Sequence, residues 1–175
     1  MNETSRERRA NDYRELMSMQ GPLLEVVPKS GTPPYVESYD LYFNIPTYVS
    51  TGSEPSIRSR HHAVLTFPAG YPRSDFPRLV MVSKPYPFHP NWFRSGAWCY
   101  GAGSHCTEGA GNYVVRVMQT LQYDENIIDE LSPANGDALD WYRRNKNKPG
   151  MFPCDTTKLP QPVVGGMMIK RVNKY

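Results

Sequence analysis

Residues 89–99 read HPNWFRSGAWC. A proline-rich, aromatic segment (residues 84–88) leads into this stretch, and a glycine-rich segment (residues 100–104) follows it. A single strand cannot continue through this much proline and glycine, because proline fixes φ and removes a backbone donor while glycine relaxes the chain. We therefore predict a long structured loop that ends at Cys99, and chemistry is often found on such loops.

Four runs of strand-like sequence precede the loop. Residues 39–45 and 62–67 alternate in side-chain character with a period of two, which predicts half-buried strands. Two short apolar runs, residues 23–27 and residues 79–82, predict a first strand that stops at Pro28 and a fourth strand. Short turn-rich segments separate the runs, so we predict an antiparallel four-stranded meander.

Helical patterns stand at both ends of the predicted sheet. Thr4 and Glu7 have capping-box spacing, and apolar residues then recur at helical spacing until about Gly21. After the loop, residues 112–123 repeat at helical spacing, and Asn135 is placed to cap a last helix. One N-terminal helix, a four-stranded meander, a long loop and C-terminal helices make an α+β fold.

Length and composition exclude several classes of protein. The 175 residues suit one domain, and the net charge of +3 is too small for a nucleic-acid-binding face. The three cysteines are an odd number without CxxC spacing, which argues against a disulfide framework and for a reducing compartment. No signal peptide or membrane-length apolar run is found, so we expect a soluble, cytoplasmic protein without nucleic-acid or membrane partners.

Four short motifs along the chain resemble those of ubiquitin-conjugating enzymes, the carrier proteins of ubiquitin-like transfer. They are FPAGYP at residues 67–72, HPN at 89–91, GAWC at 96–99 and SPANGDA at 132–138. By element order the resemblance covers roughly residues 6–148. It implies a ubiquitin-conjugating catalytic domain at residues 1–148, followed by a proline-rich tail at residues 149–175.

The resemblance assigns roles to residues of the loop and of the last helix. Cys99 would be the nucleophile that carries the cargo as a thioester, since the thiolate is the reactive form of cysteine. Asn91 would donate an amide N–H to the oxyanion, and it could also hold the loop by backbone hydrogen bonds. Asp137 would orient the incoming lysine, although a first-turn helix acid explains it equally well. His89 and Pro90 would order the loop.

The resemblance also implies partners. An activating enzyme would dock on the arginines of the first helix, namely Arg6, Arg8, Arg9 and Arg14, whose alternative role is a solvated face. The other partners would be a ubiquitin-like protein, a target protein that accepts it through an isopeptide bond, and a ligase. The carrier itself would need no cofactor and no metal.

Departures from the family favour a divergent carrier. The segment after Cys99, residues 100–111, is rich in glycine, and Arg73 stands where members that work with RING-type ligases often have an aromatic contact. A bacterial ubiquitin-like conjugation system, with a role in bacterial defence, accommodates these departures.

Three other functions compete with the carrier. The first is a non-catalytic ubiquitin-conjugating-fold variant that acts as a binding or scaffold module, although such variants ordinarily lack the cysteine. The second is a metal site built from His89, Cys99, His105 and Cys106, whose spacing matches no known ligand pattern. The third is a hydrolase that pairs Cys99 with His105. Cys106 and Cys154 are expected to be inert buried cysteines.

Overall fold

The computed structural model describes residues 3–52, 54–100 and 108–163. Its elements are, in chain order, α1 (Glu3–Ser18), β1 (Leu24–Thr32), β2 (Tyr35–Val49), β3 (Ser56–Thr66), β4 (Arg78–Met81), α2 (Ala110–Gln122) and α3 (Gly136–Asn145). The strands form one antiparallel sheet in the order β1-β2-β3-β4. The predicted α+β meander is confirmed. Within the described ranges, no helix has the length and apolar character needed to cross a bilayer.

The main core lies between one face of the sheet and α2. Leu41 and Phe43 of β2 are fully buried, as is Leu65 of β3, and their neighbours along each strand are more exposed. Val114 and Met118 of α2 are fully buried in the same core, as predicted from their helical spacing. The sheet and α2 together fix the position of residues 82–100, the described part of the chain that follows β4.

The first strand is longer than predicted because proline does not end it. β1 continues through Pro28 to Thr32, and its pairing with β2 shifts register between Pro28 and Ser30. β1 is an edge strand of the sheet, where a residue without an N–H can be accommodated. The segment expected to be a turn is therefore the end of a long hairpin.

Helix α1 buries charged side chains that its sequence pattern did not indicate. Leu16 is buried as predicted, but so are Asp12 and Glu15. The Asp12 carboxylate accepts from the N–H of Ala110 at 3.0 Å, and Glu15 accepts from the N–H of Gly111 at 2.9 Å. These carboxylates replace the missing side-chain cap at the start of α2. The apparently polar helix is therefore attached to α2 through backbone groups.

Residues 149–163 pack against the domain, and we call them the C-terminal strap. The Cys154 N–H donates to the Gln122 carbonyl at 2.8 Å, and the Val163 N–H donates to the Ser18 hydroxyl at 3.0 Å. Leu159 packs against the main core. The strap therefore runs from the end of α3 to the end of α1, whereas residues 164–175 of the predicted tail lie outside the described residues.

Two buried histidines should make the protein less stable in acid. Burial lowers the pKa of His61 to about 4 and that of His89 to about 3, whereas both titrate near their ordinary pKa when unfolded. As the pH falls below about 6.5, these histidines bind protons in the unfolded chain but remain neutral in the folded chain, so the free energy of unfolding falls. Each histidine should contribute about 1.4 kcal/mol per pH unit until its folded pKa is reached.

Urea denaturation across this pH range measures the effect. Burial raises the pKa of Asp12 and Glu15, which stabilises the fold as the pH falls and so opposes the histidines. The carboxylate contribution is the same in His61→Gln and cancels when the two proteins are compared. The slope of the free energy of unfolding against pH should lose about half of its histidine-dependent part in this variant. An unchanged slope would contradict a lowered pKa for His61.

Candidate active site

The loop before Cys99 is a short hairpin that extends the sheet beyond β4. Trp92 pairs with Trp98 and Ala97 pairs with Val80, both in antiparallel bridges. The Trp98 N–H donates to the Leu79 carbonyl at 3.0 Å, and its indole N–H donates to the Thr120 hydroxyl at 3.1 Å. The predicted structured loop is thus held by β4 on one side and by α2 on the other.

Gly96 makes the turn of this hairpin possible. Its φ is +90°, and a Cβ there would lie 2.9 Å from the Tyr86 ring and 3.0 Å from the Met81 carbonyl oxygen. The Gly96 carbonyl accepts the Trp92 indole N–H at 2.8 Å. Any other residue would strain this turn, so Gly96 fixes the path of the chain toward Cys99.

Cys99 lies directly after the hairpin, beside Asn91. Its N–H donates to the Asn91 carbonyl at 2.9 Å, and the residue is partly exposed. Cys154 is also partly exposed, but burial raises the pKa of its thiol to about 12, so little thiolate forms there at neutral pH. Cys106 and His105 lie outside the described residues. Of the two described cysteines, Cys99 is the better placed for chemistry.

His89 is fully buried and acts as a hydrogen-bond acceptor. Its Nδ1 accepts from the Asn91 N–H at 2.9 Å, and its Nε2 has no hydrogen-bond partner among the described residues. Burial lowers its pKa to about 3, so the ring is neutral. A neutral ring whose Nδ1 is occupied suits the predicted loop-ordering role better than that of a base.

Pro90 connects the loop to the start of α3. Its carbonyl accepts from the N–H groups of Ala134 at 2.8 Å and Asn135 at 3.1 Å. The Asn135 side chain caps α3 by accepting from the Ala138 N–H at 3.2 Å, which confirms the predicted cap. Two motifs that are distant in sequence, HPN and SPAN, are therefore in direct contact.

Both ends of the Asn91 amide hold the segment between α2 and α3. Its Nδ2 donates to the Ile127 carbonyl at 2.9 Å, and its Oδ1 accepts from the Asp129 N–H at 3.1 Å. The residue is 7% exposed. Nδ2 carries two hydrogens, so a second hydrogen bond can be made from the same nitrogen. The loop-holding interpretation describes these contacts, and the oxyanion role is compatible with them.

Asp137 lies in the first turn of α3 and pairs with Arg94 at the tip of the hairpin. Both side chains are largely exposed. They line a groove of about 610 Å³ whose apolar lining includes Tyr86, Phe88 and Phe93. The Asp137 carboxylate is therefore already paired with the Arg94 guanidinium at the rim of this groove.

The four arginines predicted to dock an activating enzyme occupy different environments. Arg9 is 5% exposed and donates to the carbonyls of Val36, Phe67 and Pro68, so it cannot contact a partner. Arg8 is half-buried beside Asp12. Arg6 stacks on the Tyr35 ring at 4.7 Å, and Arg14 bonds to Asn11. Arg6 and Arg14 are exposed, whereas Arg9 is buried within the domain, so the docking prediction is carried forward on Arg6 and Arg14.

Two residues that support the site were not predicted from the sequence. Tyr123 ends α2 in a left-handed conformation, donates its hydroxyl to the Phe88 carbonyl, and packs its ring 4.3 Å from His89. Asp129 accepts from the N–H groups of Leu131 and Ser132, both at 2.9 Å, and so shapes the segment that Asn91 holds. Tyr123, at φ 60°, is the only non-glycine residue with a positive φ in the described part of the chain, and only the backbone reveals this conformation.

Metal binding finds no support in the described parts of the chain. Residues 3–52, 54–100 and 108–163 contain no group of three histidine, cysteine or acidic side chains able to hold an ion. Two residues of the competing metal site, His105 and Cys106, lie outside these ranges.

Comparisons with known proteins identify the fold. No family profile matches the sequence, and no curated protein matches it either. Among solved structures, ubiquitin conjugating enzyme E2 UbcA1 from Agrocybe aegerita is similar, with a TM-score of 0.51, 19% identity and coverage of 82% of this chain and 96% of that one. Ubc12 of S. cerevisiae has a TM-score of 0.51 and 18% identity, over 81% of this chain and 72% of its own. The chain therefore has the ubiquitin-conjugating fold.

Proposed function

We propose that this protein carries a ubiquitin-like protein as a Cys99 thioester and transfers it to an amine. The observation that supports this most directly is the contact between Asn91 and Cys99, which places the HPN motif beside a partly exposed thiol in a ubiquitin-conjugating fold. The hairpin, β4 and α2 hold this pair on rigid elements, which is what a site for positioned acyl transfer requires.

Loading is a transthiolation. The Cys99 thiolate attacks the carbonyl carbon of the thioester on an activating enzyme, a carbon–sulfur bond to Cys99 forms, and the activating enzyme's thiolate leaves. Release is an aminolysis. A neutral lysine amine attacks the same carbonyl carbon, loses a proton to solvent, and expels the Cys99 thiolate as the isopeptide bond forms. In both steps the carbonyl oxygen becomes an oxyanion, and the unused Asn91 N–H is proposed to stabilise it.

Asp137 is proposed to attract the acceptor lysine. Its carboxylate lies at the rim of the groove, where Arg94 already neutralises part of its charge. An exchange of Arg94 for the incoming lysine would deliver the amine to the side of the hairpin. Because both side chains are exposed, the expected contribution is small.

The partners follow from the same proposal. They are an activating enzyme that contacts Arg6 and Arg14, a ubiquitin-like protein, a target protein and a ligase. We further propose a cytoplasmic, bacterial conjugation system with a role in defence. Such a system accommodates the two departures from the family pattern, namely Arg73 and the glycine-rich segment that follows Cys99.

Thioester formation tests the proposal directly. The full chain is incubated with a candidate activating enzyme, ATP and its ubiquitin-like protein, and non-reducing gels are compared with gels run after thiol treatment. A thiol-sensitive adduct is expected, and it should be lost in Cys99→Ala but retained in Cys154→Ala. A Cys99→Ser variant should form a thiol-resistant ester.

An adduct that persists without Cys99 would overturn the assignment. Cargo that binds the full chain non-covalently, with no adduct, would support the non-catalytic binding module instead.

A further inference from the structure

We propose that Phe152 of the C-terminal strap is a positioning residue for the active-site loop, acting through Tyr123 and Ile128 on His89 and Asn91. The inference rests on the proposed function and extends it to a part of the chain outside the region expected to be catalytic. Phe152 would then be needed for release of the cargo as well as for stability.

Phe152 packs into a second core, distinct from the one between the sheet and α2. We call this set the aromatic cluster; it comprises Tyr48, Tyr123, Trp141, Tyr142 and Phe152. The Phe152 ring centroid lies 4.8 Å from that of Tyr123, 5.1 Å from Tyr142, 5.5 Å from Tyr48 and 5.6 Å from Trp141. Contacts with four aromatic side chains hold the Phe152 ring in place, and Phe152 completes the cluster.

One route leads from the aromatic cluster to the HPN motif. Tyr123 packs its ring against His89 and donates its hydroxyl to the Phe88 carbonyl. His89 in turn accepts the Asn91 N–H, and the Asn91 carbonyl accepts the Cys99 N–H. A shift of the Tyr123 ring would therefore move the Asn91 backbone, and the Asn91 side-chain amide with it.

A second route leads to the Asn91 side chain. Ile128 packs against the buried set of Tyr123, Leu139, Trp141 and Tyr142, against which Phe152 also packs. It lies between the two residues that Asn91 holds, Ile127 and Asp129. The orientation of the Asn91 amide thus depends on where Ile128 packs. The two routes converge on Asn91. Loss of Phe152 should therefore mainly affect release of the cargo to an amine, the step in which the Asn91 amide is most needed.

The strap is attached to the domain independently of Phe152. Cys154 and Thr157 bond to Gln122, Leu159 packs on the main core, and Val163 bonds to Ser18. Truncation of Phe152 therefore leaves the strap in place and opens a cavity beside Tyr123. Leu159→Ala provides a matched control, because it loosens the strap over the main core without touching the aromatic cluster.

Single-turnover release of cargo from purified Cys99 thioester to free lysine is the measurement. Phe152→Ala should slow release about 10-fold, because small displacements of catalytic groups have large effects on rate. Loading should be slowed less than release, because the thiolate is a stronger nucleophile than the amine. Leu159→Ala should leave both steps within about twofold.

A double-mutant cycle with Asn91→Ala separates positioning from loss of stability. If Phe152 acts through Asn91, adding Phe152→Ala to Asn91→Ala should slow release less than twofold further. Full additivity, or equal effects of Phe152→Ala and Leu159→Ala, would overturn the proposal. If Phe152→Ala does not fold, Phe152→Leu is used in the same cycle under the same criteria. Failure of the unmodified chain to form a thioester would instead overturn the proposed function.

Discussion

Asn91→Ala should slow release of cargo from the Cys99 thioester by about 10²-fold to 10³-fold, the loss typical when one oxyanion donor is removed. Alanine cannot donate to the oxyanion, and it also leaves the Ile127 carbonyl and the Asp129 N–H without their partner. Single-turnover aminolysis by free lysine, started from purified thioester, measures the effect. Loading should change less than release, because the thiolate is a stronger nucleophile than the amine.

The control for this prediction must disturb the same segment without removing the amide. Asp129→Ala meets this requirement, because the Asp129 carboxylate organises Leu131 and Ser132 while its N–H still donates to Asn91. It should slow release about 10-fold at most. If the two variants are equally slow, the Asn91 amide acts only by holding the loop, and the oxyanion role is contradicted.

The parts of the fold that could be predicted from sequence are those set by local chemistry. The alternation of buried and exposed residues in β2 reflects the two faces of a strand, and Asn135 caps α3 because its side chain reaches the Ala138 N–H. The hairpin before Cys99 was predicted as a structured loop for a local reason as well, because proline and glycine exclude a continuous strand there.

The remaining features depend on partners that are distant in the chain. Pro28 is tolerated because β1 is an edge strand, and strand order is not visible in a short run of sequence. Asp12 and Glu15 are buried because the first turn of α2, almost one hundred residues later, supplies N–H donors. The role of Phe152 depends on Tyr123 in the same way. In each case the local pattern is polar or irregular, and only the tertiary partner explains it.

Arg9→Met should cost on the order of 3 kcal/mol in the free energy of unfolding, because it removes a charged donor from the buried carbonyl groups of Val36 and Phe67. Arg9 donates to the carbonyls of Val36 at 3.1 Å and of Phe67 and Pro68 at 3.2 Å, and its guanidinium lies 5.1 Å from the Phe67 ring centroid. Methionine keeps the apolar stem and removes every donor. Urea denaturation at neutral pH measures the loss.

The matched control is Arg14→Met on the exposed face of the same helix, which should change the free energy of unfolding by about 0.5 kcal/mol or less. If Arg9→Met were as stable as Arg14→Met, Arg9 would not be an anchor between α1 and the sheet, and it would again be a candidate for the docking surface. If Arg9→Met is destabilised as expected, slow loading of an Arg9 variant follows from loss of the folded state and is no evidence of docking. A docking face for the activating enzyme must therefore be sought through Arg6 and Arg14, whose charges can be reversed without removing a buried donor.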